Sequence, residues 1–411
     1  MAHFDPTDPR WVVDPQPLFD ELREDAPVHQ TPDGYWVFSR HADCLSVLRD
    51  RRASSDSLHV DPERAPKGFS SSRRGETLES IRAGEPDARP FLFRDPPDHT
   101  RLRGLVQRAF TPRTVAQLTG FVARECDRLL DEALAAGTFD VVDALAWPLP
   151  VAVICELLGV PAEDHLEFRA RSAALARGLD PEFLLPPELI EARDEALVQF
   201  AVYFHGLFEQ RRRSPSDDLL SALVAAHDGE DRLSDEELLS TAILLLVAGH
   251  ETTVNLLSGG VLALVRDHDA QARWRTDPEL DRTAPDELLR LTSPVQMTGR
   301  TLVEDMVVGG EPLRAGTFCM LLIGGANRDP EVFEDASAVR LDREPNPHLG
   351  FGFGLHHCLG APLARLEAKI AMRHLLDRTD SLHLADGAVP HYRPNFVLRG
   401  LEHLEVTVDA A

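Results

Sequence analysis

The chain has 411 residues, 43% hydrophobic and 27% charged, which is enough apolar material for a large buried core. With 43 Lys and Arg against 68 Asp and Glu, the formal charge is −25, which argues against a nucleic-acid partner. Five scattered cysteines, Cys44, Cys126, Cys155, Cys319 and Cys358, include no CxxC pair and predict reduced thiols in the cytosol.

The first six residues, Met1 to Pro6, form no apolar signal region. The longest apolar run, Ala242 to Gly249, is far short of the ~20 residues a membrane span needs. A soluble cytoplasmic protein with no membrane partner is expected. Residues 1–14 are polar and proline-rich and read as surface chain. Pro17 to Ala26 predicts a short helix, Tyr35 to Phe38 a strand entered by the turn Pro32-Asp33-Gly34, and His41 to Arg51 a helix. Residues 52–95 are rich in Ser, Arg, Gly and Pro with weak periodicity. A loop this long inside a compact domain is usually functional or disordered, and we read it as covering a substrate.

From Asp98 to His227 the signals are almost all helical. Asp98 opens one helix, and Thr111-Pro112 starts another with proline in its first turn. Val151 to Leu158 ends at Gly159, and helices follow over 162–178 and 188–213. Between those two lies Pro181 to Pro187, read as a lid. One very long helix runs from Ser234 to about Asp267, begun by a capping box of Ser234 and Glu237. Its middle, Ala248-Gly249-His250-Glu251-Thr252, puts a glycine and polar groups into an apolar helix, a local violation expected at functional sites. Pro285 to Thr292 is helical, Val295 to Cys319 alternates like strands, 327–350 is an irregular meander, and the tail from Leu382 reads as strands. No repeat and no linker divides 1–411, so one mainly α domain with a minor β part is the natural reading.

The most informative stretch is Phe351-Gly352-Phe353-Gly354-Leu355-His356-His357-Cys358-Leu359-Gly360, followed at once by a helix-prone run. A lone cysteine is more often a small buried hydrophobe than a ligand. Here glycines permit close backbone approach, and a helix start favours the thiolate. A zinc site would need three or four ligands, which this loop lacks. A planar ligand such as a haem iron held by one thiolate suits the pattern.

This loop resembles the haem-binding signature of cytochrome P450 enzymes, with Phe351, Gly352, Gly354, His356, Cys358 and Gly360 on that pattern and Ala361 to Arg365 resembling its continuation in soluble bacterial members. The resemblance implies the cytochrome P450 fold, with the long central helix over a haem, and heme b (iron protoporphyrin IX) as cofactor, with Cys358 as metal ligand. Three upstream motifs carry it further. Glu287-Leu288-Leu289-Arg290 resembles the family's ExxR pair, with Arg343 as its partner in the meander; Val339 and Arg340 stand where related chains often carry an aromatic and an acid. Glu251 and Thr252 resemble the acid–alcohol pair that relays protons and hydrogen-bonds dioxygen, with Ala248 and Gly249 leaving room for O2. His99 and Arg103, at i and i+4, together with Arg300 and His356, are implied to meet the haem propionates. Phe351 and Gly360 complete the cofactor-binding set.

Substrate contacts are expected at Leu244, Val247, Ala248, Val295, Met297 and Val397, all apolar. Arg73, Arg74 and Arg94 could meet a substrate carboxylate. The implied activity is insertion of one oxygen atom from O2 into a C–H or C=C bond of a small apolar organic molecule. Electrons would come from a separate ferredoxin and its NAD(P)H-dependent reductase, docking on a patch of Arg101, Arg108, Arg113 and Arg365. The rivals are a peroxide-driven haem enzyme and a non-catalytic haem-binding sensor; intact Glu251 and Thr252 weigh against both.

Overall fold

The computed structural model describes residues 3–69, 89–228 and 231–410. The chain is 56% helical with a small sheet part, so the class is mainly α. Eight helices frame the site: α1 Asp98–Ala109, α2 Thr119–Ala136, α3 Pro148–Leu158, α4 His165–Arg177, α5 Pro187–Arg213, α6 Asp235–Arg266, α7 Ala284–Thr292 and α8 Ala361–Asp377.

Local chemistry sets their ends. The Thr111 side chain accepts from the Thr114 N–H ahead of a proline-started turn. Gly159 closes α3 in the left-handed conformation at φ 76°, where a side chain would be strained. Ser234 and Glu237 form the expected capping box, with Ser234 Oγ accepting from the Glu237 N–H at 3.2 Å and Glu237 Oε2 accepting from the Ser234 N–H at 2.9 Å. The helix they begin, α6, is 32 residues long, or roughly 48 Å at 1.5 Å per residue.

α6 is the axis of the fold. It packs against α3, α4, α7 and α8. Its length and hydropathy alone would let it cross a membrane. Its burial is instead supplied by the helices around it, and polar His250, Glu251 and Asn255 are buried along it. Gly260 is a contact point: a Cβ on it would lie 2.9 Å from both Leu288 Cδ1 and Met372 Cε, so α7 and α8 could not come so close to a larger residue. The main apolar cluster runs through α2, α3, α5, α6 and α8.

The strands β1 Val28–Gln30, β2 Trp36–Phe38, β3 Ala53–Ser54, β4 Thr138–Asp140, β5 Thr298–Leu302, β6 Phe318–Leu321, β7 Thr379–Leu384, β8 His391–Tyr392, β9 Leu401–His403 and β10 Glu405–Ala410 build the sheets around this core. The largest has the order β1-β2-β6-β5-β3. In it Cys319 pairs with Trp36 in parallel and with Arg300 in antiparallel register, which ties the N-terminal hairpin to the strand after α7. A three-stranded sheet has the order β7-β10-β4, and β8 pairs with β9.

Cys44, Cys126, Cys155 and Cys319 are buried, and burial raises each thiol above its ordinary value, Cys126, Cys155 and Cys319 to about 12. They are core residues. Cys358 alone among the five is exposed.

A candidate cofactor site around Cys358

The cysteine loop is shaped by its own backbone. Gly352 and Gly354 take φ of 66° and 70°, conformations that side chains disfavour. A Cβ on Gly354 would also sit 2.9 Å from the Leu48 carbonyl oxygen. The Cys358 N–H donates to the Phe351 carbonyl at 2.8 Å, closing the loop and leaving the sulfur exposed. Surrounding protein raises the Cys358 thiol, while the N–H groups of Gly360 and Ala361 and the guanidinium groups of Arg103 and Arg365 pull it down. The start of α8 thus supplies the anion-favouring end expected there.

Behind the loop lies a fully buried ion network. Glu287 and Arg290 are 0% exposed and make a two-armed pair, Nε to Oε2 and NH2 to Oε1, both 2.8 Å. Arg343 donates through Nε to Glu287 Oε2 at 3.0 Å, so the partner expected in the meander sits on the pair. Backbone N–H of Arg340 and the Asn346 amide satisfy the carboxylate further. Arg290 NH1 reaches the carbonyls of Asn327 and Ala336 at 2.9 and 2.7 Å, and Arg343 NH1 reaches that of Glu334 at 2.9 Å. An aromatic does serve this network, but from Phe333: its ring lies 5.0 Å from the Arg290 guanidinium and 5.9 Å from that of Arg343. Position 339, where an aromatic is usual, needs none here.

Two connections carry that rigidity to the cysteine. Asn327 Oδ1 accepts from the Leu349 N–H at 2.7 Å, just ahead of Phe351. Asp286 on α7 receives Arg365 Nε at 2.9 Å and His348 Nε2 at 2.9 Å, and the Arg365 guanidinium lies 4.5 Å from the Phe351 ring centre. The sequence reading placed Arg365 on a docking patch and did not single out Asp286. Arg365 is instead held to α7 and to Phe351, and Arg101 is paired with Glu237. Of that patch, Arg108 and Arg113 remain exposed.

Two histidines and an arginine gather on the other flank. His99 is 2% exposed, and neither ring nitrogen has a hydrogen-bond partner among the described residues. Its ring centre lies 4.2 Å from that of His356, whose Nε2 meets Ser55 Oγ at 2.9 Å. Burial, then the charges of His99, Arg300 and Arg103, depress His356 to about 3. Arg300 is buried, is lowered to about 10 by that burial, and donates to Thr298 Oγ1 and the Gly299 carbonyl. The Arg300 guanidinium, the His356 ring and the two unpartnered ring nitrogens of His99 fit an anionic ligand such as a pair of carboxylates. Arg103 NH2 donates to the His357 carbonyl at 2.7 Å, which links it to the cysteine loop.

On α6, an otherwise buried stretch has one opened face. Leu244 and Val247 are half-buried, Ala248 is exposed and Thr252 is half-buried, at helical spacing. Thr252 Oγ1 donates to the Ala248 carbonyl at 2.9 Å. Gly249 does not open this face: a Cβ on it would lie 2.8 Å from Ile154 Cδ1, so its role is contact with α3. Glu251 also departs from a cavity-facing acid. It is 2% exposed, with Oε2 3.1 Å from Arg393 NH1 and Oε1 3.5 Å from His250 Nε2. Burial raises its carboxyl, but His250 and Arg393 outweigh burial and hold it below the usual range. Sequence reasoning missed Arg393, which carries no local signal.

The other substrate candidates separate. Val295 and Val397 are half-buried, joined by the bridge of Val295 to Leu398 and by the Gln296 N–H donating to the Val397 carbonyl. Met297 is buried in the aromatic cluster of Phe4, Trp11, Phe19 and Phe396 and has no open side. Arg94 is buried, donates to the Arg89 carbonyl and lies 3.8 Å from Glu237. Arg73, Arg74 and the rest of residues 70–88 in that loop lie outside the described residues. The stretch read as a lid forms a short 3-10 turn, Glu182–Leu184, with Phe183 beside Tyr35.

The chain matches the family model described as Cytochrome P450 over residues 66–286 and 282–397. It is 38% identical to the polyketide biosynthesis cytochrome P450 PksS of Bacillus subtilis, over 98% of both chains. The solved structure of that protein superposes with a TM-score of 0.86, covering 99% of this chain and 100% of the other. Nocardicin C N-oxygenase of Nocardia uniformis is 41% identical over 96% of each chain. A structure of P450BioI in complex with hexadec-9Z-enoic acid ligated acyl carrier protein superposes at 0.85, with 37% identity over 97% of this chain and 99% of that one.

Proposed function

The chain belongs to the cytochrome P450 family, an oxidoreductase of the monooxygenase kind, and from that premise we propose that it places one oxygen atom from O2 into a C–H or C=C bond of an apolar organic substrate, drawing electrons from a separate ferredoxin and NAD(P)H-dependent reductase. The observation that carries the reading is a single exposed thiol, fixed by a buried ion network and flanked by the buried Arg300 guanidinium and by His99, whose ring nitrogens have no hydrogen-bond partner among the described residues. Residues 1–411 act as one unit in this proposal, supported by the pairing of β2 with β6 across most of the chain.

Haem, when bound, supplies the dioxygen activation and the thiolate-ligated iron that this chemistry needs. Cys358 would be its protein ligand, and His99, Arg300 and His356 would hold its carboxylates. Phe351 and Gly360 shape the cysteine side, and Arg103 there secures the loop through the His357 carbonyl. Glu287, Arg290 and Arg343 keep the cysteine loop in place. Leu244, Val247, Ala248, Val295 and Val397 offer apolar surface for a substrate, and Met297 supports it from the aromatic cluster behind. Thr252 holds a hydroxyl at the open face of α6, already bonded to the Ala248 carbonyl, from which it can turn to donate to O2. Glu251 holds the proton-accepting carboxylate one residue away. Exposed Arg108 and Arg113 are the remaining candidates to meet an acidic electron carrier.

The relatives' names span polyketide biosynthesis and nocardicin N-oxygenation, so the substrate proposed here is defined by its apolar character. A second reading is an acyl chain tethered to a carrier protein, favoured by the P450BioI complex. Binding titrations separate the two: a tethered acyl substrate should perturb the Soret band well below the concentration at which the free acid does. For the main reading, the reduced, carbon-monoxide-bound protein should show the thiolate-type Soret shift and Cys358→Ser should abolish it; a wild-type protein without the shift would refute the proposal. Turnover that needs peroxide rather than the reductase system would favour the peroxide-driven rival.

A further inference from the structure

We infer that Arg393, in the turn between β8 and β9, is a positioning residue that holds the Glu251 carboxylate beneath the tail hairpin, apart from the open face where Thr252 sits. The inference rests on the monooxygenase reading and adds the group that governs its acid.

The geometry is a two-sided clamp. Glu251 Oε2 meets Arg393 NH1 at 3.1 Å. Its other oxygen lies 3.5 Å from His250 Nε2. His250 is itself fixed, Nδ1 at 2.7 Å from the Leu246 carbonyl and Nε2 at 3.0 Å from Ser172 Oγ on α4. The charged or titratable groups that act on this carboxylate are therefore His250 from its own helix and Arg393 from the tail, while α4 supplies only the Ser172 hydroxyl.

Arg393 stands on a fixed platform. Its N–H donates to the Gly400 carbonyl at 3.0 Å. Gly400 lies flat on Asn255, since a Cβ there would overlap the Asn255 amide outright. Asn255 is one turn beyond Glu251, so the hairpin covers the same face of α6 that carries the acid. The turn is held further by Asp180, at the end of α4, which accepts the N–H groups of Phe396 and Val397 at 2.9 and 2.8 Å. Arg399 anchors it to the N-terminal segment through the Val12 carbonyl at 2.5 Å.

A carboxylate this deeply buried is tolerated only when paired. Without Arg393, desolvation would act against one partner instead of two, and Glu251 would take up a proton at higher pH. The tail thereby sets whether the acid beside Thr252 is charged.

The test uses substrate-free holoenzyme labelled with carboxyl-13C glutamate. The infrared difference between each protein and its Glu251→Gln counterpart isolates this one carboxyl. Wild type and Arg393→Lys should show an ionised Glu251 across neutral pH. Arg393→Met should shift its half-titration upward by at least about one pH unit, a tenfold change in proton affinity. Arg393→Gln, a milder change, should shift it in the same direction if the Met variant fails to fold. A second readout is product formed per O2 consumed as a function of pH. It should become pH-dependent in Arg393→Met, recover in Arg393→Lys, and lose that dependence in the Glu251→Gln background. An unshifted Glu251 band in Arg393→Met or Arg393→Gln would overturn the inference. The infrared result needs no turnover, so a failed carbon-monoxide spectrum would sink the family chemistry and still leave Arg393 judged.

Discussion

At the scale of single residues, the site is held by a carboxylate that never touches a ligand. Glu287 is 0% exposed and neutralises two guanidinium groups that are themselves buried. Breaking a buried pair by removing one partner leaves uncompensated charge, which costs roughly 3–5 kcal/mol. Glu287→Gln should therefore lose stability on that scale in denaturant unfolding and should retain little haem, because the cysteine loop is pinned through the same meander. Val339→Phe, by contrast, should change stability by less than about 1 kcal/mol, because Phe333 already fills the aromatic role. These roles differ in how far the sequence discloses them. Cys358 and its glycines are contiguous, so their pattern can be read directly. Glu287, Arg290 and Arg343 can be read from two short motifs. Phe333 cannot, because its service to both arginines depends on the path of an irregular segment. Arg393 is 142 residues from Glu251 and has no spacing to betray it.

At the scale of elements, α6 shows how one stretch serves two demands. Ala248 and Thr252 lie on the opened face, while Gly249 and Glu251 on neighbouring faces serve packing and charge pairing. The sequence discloses that Ala248 to Thr252 is special, because polar groups interrupt an apolar helix. It does not disclose which residue faces which way, since that depends on what packs around the helix. Gly249 is the clearest case: its lack of a side chain reads as room for O2 and proves to be room for Ile154. Gly249→Val should overpack this contact and cost about 1–3 kcal/mol. Ile154→Ala should recover part of that loss in the double variant, although alone it destabilises by leaving a cavity. Purely additive losses in the double-mutant cycle would mean that the contact does not limit residue size at position 249. Some helix boundaries, by comparison, are visible in the sequence, because caps and prolines are local: Ser234, Thr111 and Gly159 end or begin helices where their chemistry says they should.

At the scale of the whole molecule, the helices and sheets converge on α8, which leaves the cysteine loop and packs against α2, α6 and α7. In the middle of α8, Glu367 is 1% exposed and its Oε2 has no hydrogen-bond partner among the described residues. Burial raises its carboxyl well above the ordinary value of 4.5, so the folded protein keeps that proton where an unfolded chain releases it. Between those two values the unfolded state binds fewer protons than the folded one. Stability from this site is therefore full below about pH 4.5 and falls as pH rises, by about 1.4 kcal/mol per pH unit, until the folded-state value is passed. The expected consequence is a global one, because α8 joins the cysteine loop to the main core. Glu367→Gln keeps the shape and removes the titration. Its stability relative to wild type should rise as pH is raised above 4.5 in denaturant unfolding, and the excess should vanish near pH 4.5. A difference between the two proteins that stays constant over that range would show that Glu367 ionises in the fold as it does in water, and that the core of α8 accommodates a buried charge.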